Sequence, residues 1–554
     1  MKKKKLVLLP KKKTALLSVY YKDGIVEFAR ALIALGWQIL SSGGTAKALQ
    51  AAGVPVIDIE VIVGPPMFEG RVKTLSRELH AGMLARKLEE DLKELERLGL
   101  PRIGIVCVDF YDMKAEIARP GSTRESVIEL TDVGGPTMLH SGAKGERIVV
   151  CDLQDRARVI EWLKAGCPDE QNFIDQLCAK ADAIVADYCL AASRYRSGGK
   201  FDGVVGQLVQ TCKYGENPSM TPAGSYKDIG NNDPLALHNF KVIDGADPSY
   251  INWTDVDRML QTMTHLAAAF DVNKKFVPRL ESPKLASGVK HGNTCGGAAG
   301  NNAIDVINRM LSGDLRAIFG GWISTNFRIG VLEAEALLRL HLPPESKADA
   351  KRLLDGVVAP SFAPEVIRLF ERKEGKCRLV VNPALEKLDA SSLDTSPRRR
   401  QVRGGYLLQP NYTYIIDFND PRIKRFGPRP TAEQFRDLII GWAVGSTSNS
   451  NTITTVIDGK VVGNGCGGQD RVGVGDLSVK KANDARHYLP GASSYSDSFF
   501  PFPDGPEVLA KAGIKAILTS SGSINDELTI EVCERYGISL IMVPDKVGRG
   551  FFGH

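Results

Sequence analysis

The sequence predicts an α/β protein whose amino-terminal part is built on a parallel sheet. Three observations carry this. Strand-like and helix-like stretches alternate from Lys13 to about Tyr195. Residues 103–110 form an apolar run interrupted only by Asp109 near its end, the pattern of a strand buried on both faces. The chain closes on the same alternation, with 514–519 reading as strand, 525–536 as helix and 538–543 as strand. Strands separated by helical patterns imply βαβ units and a parallel sheet.

Taken in order, residues 15–20 read as a strand. Ile25, Phe28, Leu32 and Leu35 fall on one helical face, and Gly36 ends that helix. Residues 37–40 read as a strand, 41–44 as a tight loop, and 45–52 as a helix closed by Gly53. Ser122 and Glu125 have capping-box spacing before Val127 and Ile128. The polar stretch 194–200 (RYRSGGK) has no period and reads as the main linker. The expected division is a tail over 1–13, a domain over 14–197 and a domain over 198–554. The last is large for one domain and is expected to hold two lobes. Within it, Thr431 and Gln434 form a second capping box, opening a helix through Val444. Asp458-Gly459 is a two-residue hairpin turn between 452–457 and 460–462. Residues 389–403, containing PRRRQVR, read as an exposed loop.

Composition narrows the function classes. The chain has 554 residues, 43% apolar and 25% charged, with a net charge of +6. Seven lysines lie in the first thirteen residues, so the rest carries −1. A nucleic-acid reading wants basic charge spread over a folded face, and none is expected here. The tail is expected to be disordered and dispensable. The ten cysteines are scattered without a C-x-x-C, which reads as reduced thiols of a cytoplasmic protein. The apolar run 6–9 is too short for a signal peptide or membrane helix, and no longer one occurs.

Five motifs carry candidate chemistry. Ser41–Leu49 (SSGGTAKAL) places a Gly-Gly turn before a helix opening at Thr45. Free backbone N–H groups at a positive dipole end suit a phosphate, although an ordinary strand–helix turn has the same appearance. Gly70–Leu75 (GRVKTL) sets Arg71, Lys73 and Thr74 before a helical stretch. Asp132-Val133-Gly134-Gly135 with Lys144 twelve residues on offers a carboxylate and an ammonium for proton movement, or a structural ion pair. Lys290-His291 precedes a glycine-rich turn; a neighbouring ammonium favours the neutral, basic imidazole, which can take a proton from an amine. Residues 463–468 (GNGCGG) satisfy G-x-G-x-x-G, but in a hairpin rather than a βαβ unit, so a dinucleotide site is not expected.

In chain order these motifs, with KYGENP, DGVVAP, SNSNT, SDSFFPF and a terminal R..F.H, resemble the bifunctional purine-biosynthesis family that joins AICAR transformylase to IMP cyclohydrolase. AICAR is aminoimidazole-carboxamide ribonucleotide. The resemblance covers nearly the whole chain. It implies a methylglyoxal-synthase-like amino-terminal domain and a pair of cytidine-deaminase-like lobes. It implies formyl transfer from 10-formyltetrahydrofolate, as co-substrate, to AICAR, and closure of formyl-AICAR to IMP with loss of water. His291 would be the base, Lys290 its aid, and Asn451 the donor to the formyl oxygen. Lys73, Tyr111, Asp132 and Lys144 would serve ring closure, with Ser42, Gly43, Gly44, Thr45, Arg71 and Thr74 holding the nucleotide. Lys213, Tyr214, Asn252, Phe319, Gly320, Asp355, Arg471, Phe502 and Arg549 match nucleotide or folate contacts. No metal is implied, a homodimer is, and neither nucleic acid nor membrane is expected as a partner.

Several supporting positions depart from the family pattern: Ser219 and Met220 after KYGENP, Leu75-Ser76-Arg77 in place of L-H-P, Tyr21 to Gly24 in place of D-K-T-G, His140 and Gly145 around Lys144, and Asp470 before Arg471. The departures suggest a divergent member. The alternative reading is a formyltransferase whose amino-terminal domain has lost or weakened ring closure.

Overall fold

The computed structural model describes residues 9, 11–280, 282–342, 346–347 and 349–553. Most of the lysine-rich tail and His554 of the terminal motif lie outside the described residues. The chain divides into two compact units. One runs through Gln207 and includes 228–230; the other comprises 208–227 and the chain from Asn231 onward.

The first unit is a five-stranded sheet in the order β3-β2-β1-β4-β5, comprising β1 (Thr14–Ser18), β2 (Gln38–Ser41), β3 (Ile57–Asp58), β4 (Ile103–Val108) and β5 (Ile148–Val150). Every pairing is parallel. Strand side chains alternate between faces. Ala15, Leu17, Ile39 and Ile105 therefore pack with Phe28, Leu32 and Trp162, while Leu16, Leu40 and Val106 pack with Leu79, Met83 and Leu139. This double burial is why β4 reads as a continuous apolar run.

A two-stranded sheet of β6 (Gly206–Cys212) and β7 (Ala223–Asp228) follows. The second unit is built on a twelve-stranded mixed sheet with a repeated plan. In the first half, helix Tyr250–Val272 precedes the hairpin β9 (Lys284–Lys290) and β10 (Asn293–Gly300), flanked by β11 (Trp322–Thr325), β12 (Gly356–Ala359), β13 (Arg378–Val381) and β8 (Lys241–Asp244). In the second half, helix Ala432–Gly445 precedes the hairpin β17 (Thr452–Ile457) and β18 (Lys460–Cys466), flanked by β19 (Ser493–Ser496), β20 (Ala516–Ser521), β21 (Ser539–Pro544) and β16 (Lys424–Phe426). The halves join antiparallel at β10 and β18. The two helices share one core on one face of the sheet, including Met259, Met263, Leu266, Leu438 and Trp442. On the opposite face each half keeps its own core.

Five sequence expectations need correction. The helix after β2 starts at Gly43 rather than Thr45, with Ser42 as the residue before it. The capping box lies one residue later, between Thr123 and Ser126, because Gly121 turns the chain and Ser122 bonds back to Arg119. The stretch 194–200 is not a free linker: helix Glu170–Ser197 runs through its arginines, which suit a helix carboxyl end, and Gly198 and Gly199 stop it at positive φ. Residues 389–403 are not all loop. β14 (Arg398–Val402) pairs with β15 (Gly405–Gln409) across Arg403-Gly404, and its arginines hide the strand from a hydropathy reading. Finally, Asp132 and Lys144 form neither a pair nor a proton relay, because they stand at opposite ends of helix Gly134–Lys144.

Candidate functional site

In the first unit, β1 continues to β2 on one side and pairs with β4 on the other. A crevice opens beyond the carboxyl ends of strands at such a switch. The loops there bring together most of the residues singled out for ring closure. Gly43 and Gly44 open helix Gly43–Ala51. A side chain at Gly43 would come within 3.8 Å of Lys73 Nζ, and one at Gly44 within 3.8 Å of Lys22 Cε. The two lysines therefore flank the helix start. Lys73 is anchored by Glu60 at 3.2 Å. Burial pushes the Lys22 ammonium down, and it donates to the carbonyls of Val19 and Tyr20. Ser42 Oγ lies 2.8 Å from Ser18 Oγ. The Thr45 hydroxyl is committed to the backbone of Val19, accepting its N–H at 3.0 Å and donating to its carbonyl at 2.9 Å.

Asp132 sits before helix Gly134–Lys144, its Oδ1 accepting the Gly135 N–H at 2.8 Å. Burial pushes this carboxyl up, against the pull of the Gly135, Tyr111 and Gly134 N–H groups. Tyr111 stands beside it; burial first, then the Asp132 charge, pushes its phenol up. The Thr74 hydroxyl lies over Gly134, where a Cβ would approach it to 2.3 Å. Arg71 is on the rim, paired with Glu129 at 3.2 Å. Lys144, ten residues after Gly134 on one helix, is about 15 Å along the axis. It lines a cavity of about 1170 Å³ with Thr14, Gly104 and Ile148, at the amino ends of the strands.

In the second unit, Lys290 ends β9 and His291-Gly292 form the turn into β10, both with left-handed φ (53° and 70°). That conformation matches the twist of a two-residue hairpin and exposes the imidazole. Lys290 Nζ donates to the Phe319 carbonyl at 2.7 Å, tying the turn to Phe319-Gly320. Beneath it, the Gly292 N–H donates to Asp255 at 2.6 Å. Burial pushes the Asp255 carboxyl up, while Gly292 and His291 draw it back. Asn252, one turn earlier, spends its Oδ1 capping Ser249 at 3.0 Å. Asp355 directly precedes β12 and accepts from Arg372 at 3.5 Å.

Asn451 lies at the start of β17. Its Oδ1 accepts from Arg471 Nη2 at 2.7 Å and its Nδ2 donates to the Gly468 carbonyl at 3.1 Å. Arg471 is held in turn by fully buried Asp497, which also accepts from Ser450 Oγ at 2.6 Å. Arg549 pairs with Asp545 at 2.6 Å and lies over Phe499, while Phe502 is exposed. Lys213 is exposed and Tyr214 half-buried, in a turn closed by the Gly215 N–H on the Met220 carbonyl at 2.8 Å. Among the described residues, no hydrogen bond or ion pair joins that turn to His291.

Three of the departures have local explanations. Asp470 caps helix Arg471–Asp484, accepting the Gly473 N–H at 2.6 Å, a role that Ser fills equally. A Cβ at Gly145 would stand 2.1 Å from the Met83 carbonyl, so no Asn fits this packing. His140 faces Asp182 on the long neighbouring helix at 3.0 Å. Sequence reasoning missed Lys22, Asp255, Arg258, Asn449 and Asp497. Lys22, Asn449 and Asp497 lie within the stretches 21–24, SNSNT and SDSFFPF named above, where other residues were singled out; Asp255 and Arg258 are ordinary helix positions until the fold collects them. Among the described residues, no group of three or more His, Cys, Asp or Glu is placed to hold a metal, and no helix is long and apolar enough to cross a membrane.

A parallel-sheet unit with its crevice at a switch point, joined to a repeated mixed-sheet unit presenting a Lys-His turn, describes a two-site enzyme. The comparisons agree. An MGS-like domain model matches residues 24–137, and the AICARFT/IMPCHase bienzyme model matches residues 144–481. Proteins named bifunctional purine biosynthesis protein PurH are similar over nearly their whole length. The one from Oceanobacillus iheyensis is 32% identical, that from Neisseria meningitidis 33% and that from Lysinibacillus sphaericus 34%, each match covering 96% of this chain and 98% of the relative. The chain belongs to the AICARFT/IMPCHase bienzyme family, and it is both an AICAR formyltransferase and an IMP cyclohydrolase.

Proposed function

We propose that the second unit transfers a formyl group from 10-formyltetrahydrofolate to the amine of AICAR at the His291 turn, and that the first unit closes formyl-AICAR at the switch-point crevice. The AICAR amine is aromatic and poorly nucleophilic. As its nitrogen bonds to the formyl carbon, it must lose a proton, and His291 accepts it. The folate nitrogen leaves with the bonding pair and takes up a proton. Lys290 supplies a fixed cation beside the base, and Asn451 Nδ2 is the amide donor for the developing oxyanion. The observation that carries this reading is the exposed His291, set on a rigid turn that buried Asp255 holds from below.

In ring closure the carboxamide nitrogen attacks the formyl carbon and water leaves. Lys22, Lys73 and the Gly43-Gly44 N–H groups hold the phosphate; Asp132 and Tyr111 move protons. Lys144 has no part in this step. Full-length similarity to the bienzymes favours both activities over a formyltransferase alone. Residue roles, the folate donor and a homodimer are parts of this proposal. Ultraviolet assays of the two steps separate them. His291→Ala is expected to abolish transfer and spare ring closure, and Lys73→Ala to do the reverse. No ring closure by the wild type would refute the reading of the first unit, and near-normal transfer by His291→Ala that of the second.

A further inference from the structure

One helix grips the His291 turn from two sides. The Gly292 N–H donates to Asp255 Oδ1 at 2.6 Å, and the Gly292 carbonyl accepts from Arg258 Nε at 3.0 Å. Asp255 and Arg258 are three residues apart on helix Tyr250–Val272, so they share a face. Arg258 also reaches past the turn. Its Nη2 donates to Asn449 Oδ1 at 2.6 Å, two residues before Asn451. Its Nη1 donates to the Phe552 carbonyl, and its guanidinium lies 4.6 Å over the Phe552 ring. Asn449 closes the loop from the other side, its N–H donating to Asn293 Oδ1 at 3.3 Å.

The second half of the unit has part of this device. Asp437 follows its cap residue Thr431 by six positions, as Asp255 follows Ser249, and it accepts the Gly459 N–H of the Asp458-Gly459 turn at 2.7 Å. There, however, the carbonyl held by an arginine belongs to Asp458, and the arginine is Arg309 of the first half's helix Ala303–Ser312. The aspartate–glycine contact is thus the common means of fixing a hairpin turn. The three-way arginine fork is the addition in the half that carries His291.

We propose that Asp255 and Arg258 are positioning residues for formyl transfer, fixing the His291-Gly292 turn and registering it against the loop that bears Asn451. This rests on the roles given above to His291 and Asn451. A guanidinium presents donors in a rigid planar fork, which a lysine ammonium cannot reproduce. Misplacing a reacting group by about 1 Å costs on the order of 10²-fold in rate.

The test compares Arg258→Lys, Asp255→Ala, Asp255→Asn and His291→Ala in the full chain, measuring kcat and both KM values for transfer, and ring closure as an internal control. Arg258→Lys keeps the stem and charge, and is expected to lower kcat for transfer by roughly 10- to 100-fold with KM values within about threefold. Asp255→Ala should behave alike, and Asp255→Asn should recover most of the loss, because its amide oxygen still accepts the Gly292 N–H. Ring closure should be unchanged throughout. If Arg258→Lys and Asp255→Ala keep wild-type kcat while His291→Ala is inactive, the positioning role is wrong and the base assignment survives. If they raise KM alone, the positioning role is again wrong. If His291→Ala transfers normally, the reading of His291 fails first and takes this proposal with it.

Discussion

Gly465→Ala tests whether the Asn451 site depends on close packing behind it. Gly465 lies in β18, against helix Arg471–Asp484. A Cβ there would stand 2.1 Å from the Val474 carbonyl oxygen and 3.0 Å from the Ser478 nitrogen, both backbone atoms of that helix. Ordinary contact begins near 3.4 Å, so the helix must retreat by about 1 Å, since a close-packed interior transmits such strain. Overpacking of this kind costs about 1–3 kcal/mol. The first residue of the moved helix is Arg471, whose guanidinium holds Asn451 Oδ1 at 2.7 Å and pairs with Asp497. A displacement of this size at Arg471 carries over to Asn451, and formyl transfer should fall by roughly 10²-fold. Urea unfolding and the initial rates of both reactions check this on one preparation. The second unit should unfold at lower urea, transfer should collapse, and ring closure should be unaffected. Gly405→Ala, where an added Cβ meets nothing within 4 Å, serves as the neutral control. A Gly465→Ala enzyme with unchanged unfolding and transfer within about threefold of wild type would refute the coupling of packing to the site.

Three further outcomes are expected. Burial pushes the Asp437 carboxyl up to about 6 from an ordinary 3.8. The folded state then holds this proton more tightly than the unfolded chain, so the charged form costs stability above pH 6 and the cost disappears as pH falls to 4. Relative to Asp437→Asn, the wild type should gain up to about 3 kcal/mol across that window and nothing above pH 7, measured by urea unfolding; a flat difference would contradict the assignment. Lys144→Ala should close formyl-AICAR at a rate within about threefold of wild type, because helix geometry keeps Lys144 from the crevice, and loss of ring closure would reinstate it there. Thr123→Ala removes the acceptor of the Ser126 N–H and should lower stability by about 1 kcal/mol without altering either activity, a size that chemical denaturation resolves.

How much of this was legible in the sequence follows from how local each signal is. Thr431 and Gln434 cap their helix as read, because a capping box is closed within four residues. The Asp458-Gly459 turn was legible for the same reason, and β4 because burial on both faces leaves no polar position to mislead. The arginine-rich strand β14 was missed because a hairpin exposed on both sides carries no hydropathy period. In the sites the same rule applies. Lys290 and His291 are adjacent, so their shared turn was readable; Asp255 and Arg258 bind that turn from 37 and 34 residues away, and no local pattern reports such a contact. The Asp132–Lys144 reading failed in the opposite direction. Two opposite charges in one motif suggested a pair, yet the eleven residues from Gly134 to Lys144 form a continuous helix. Such a helix sets its two end residues about 15 Å apart, so it is the regularity of the local structure that separates the charges.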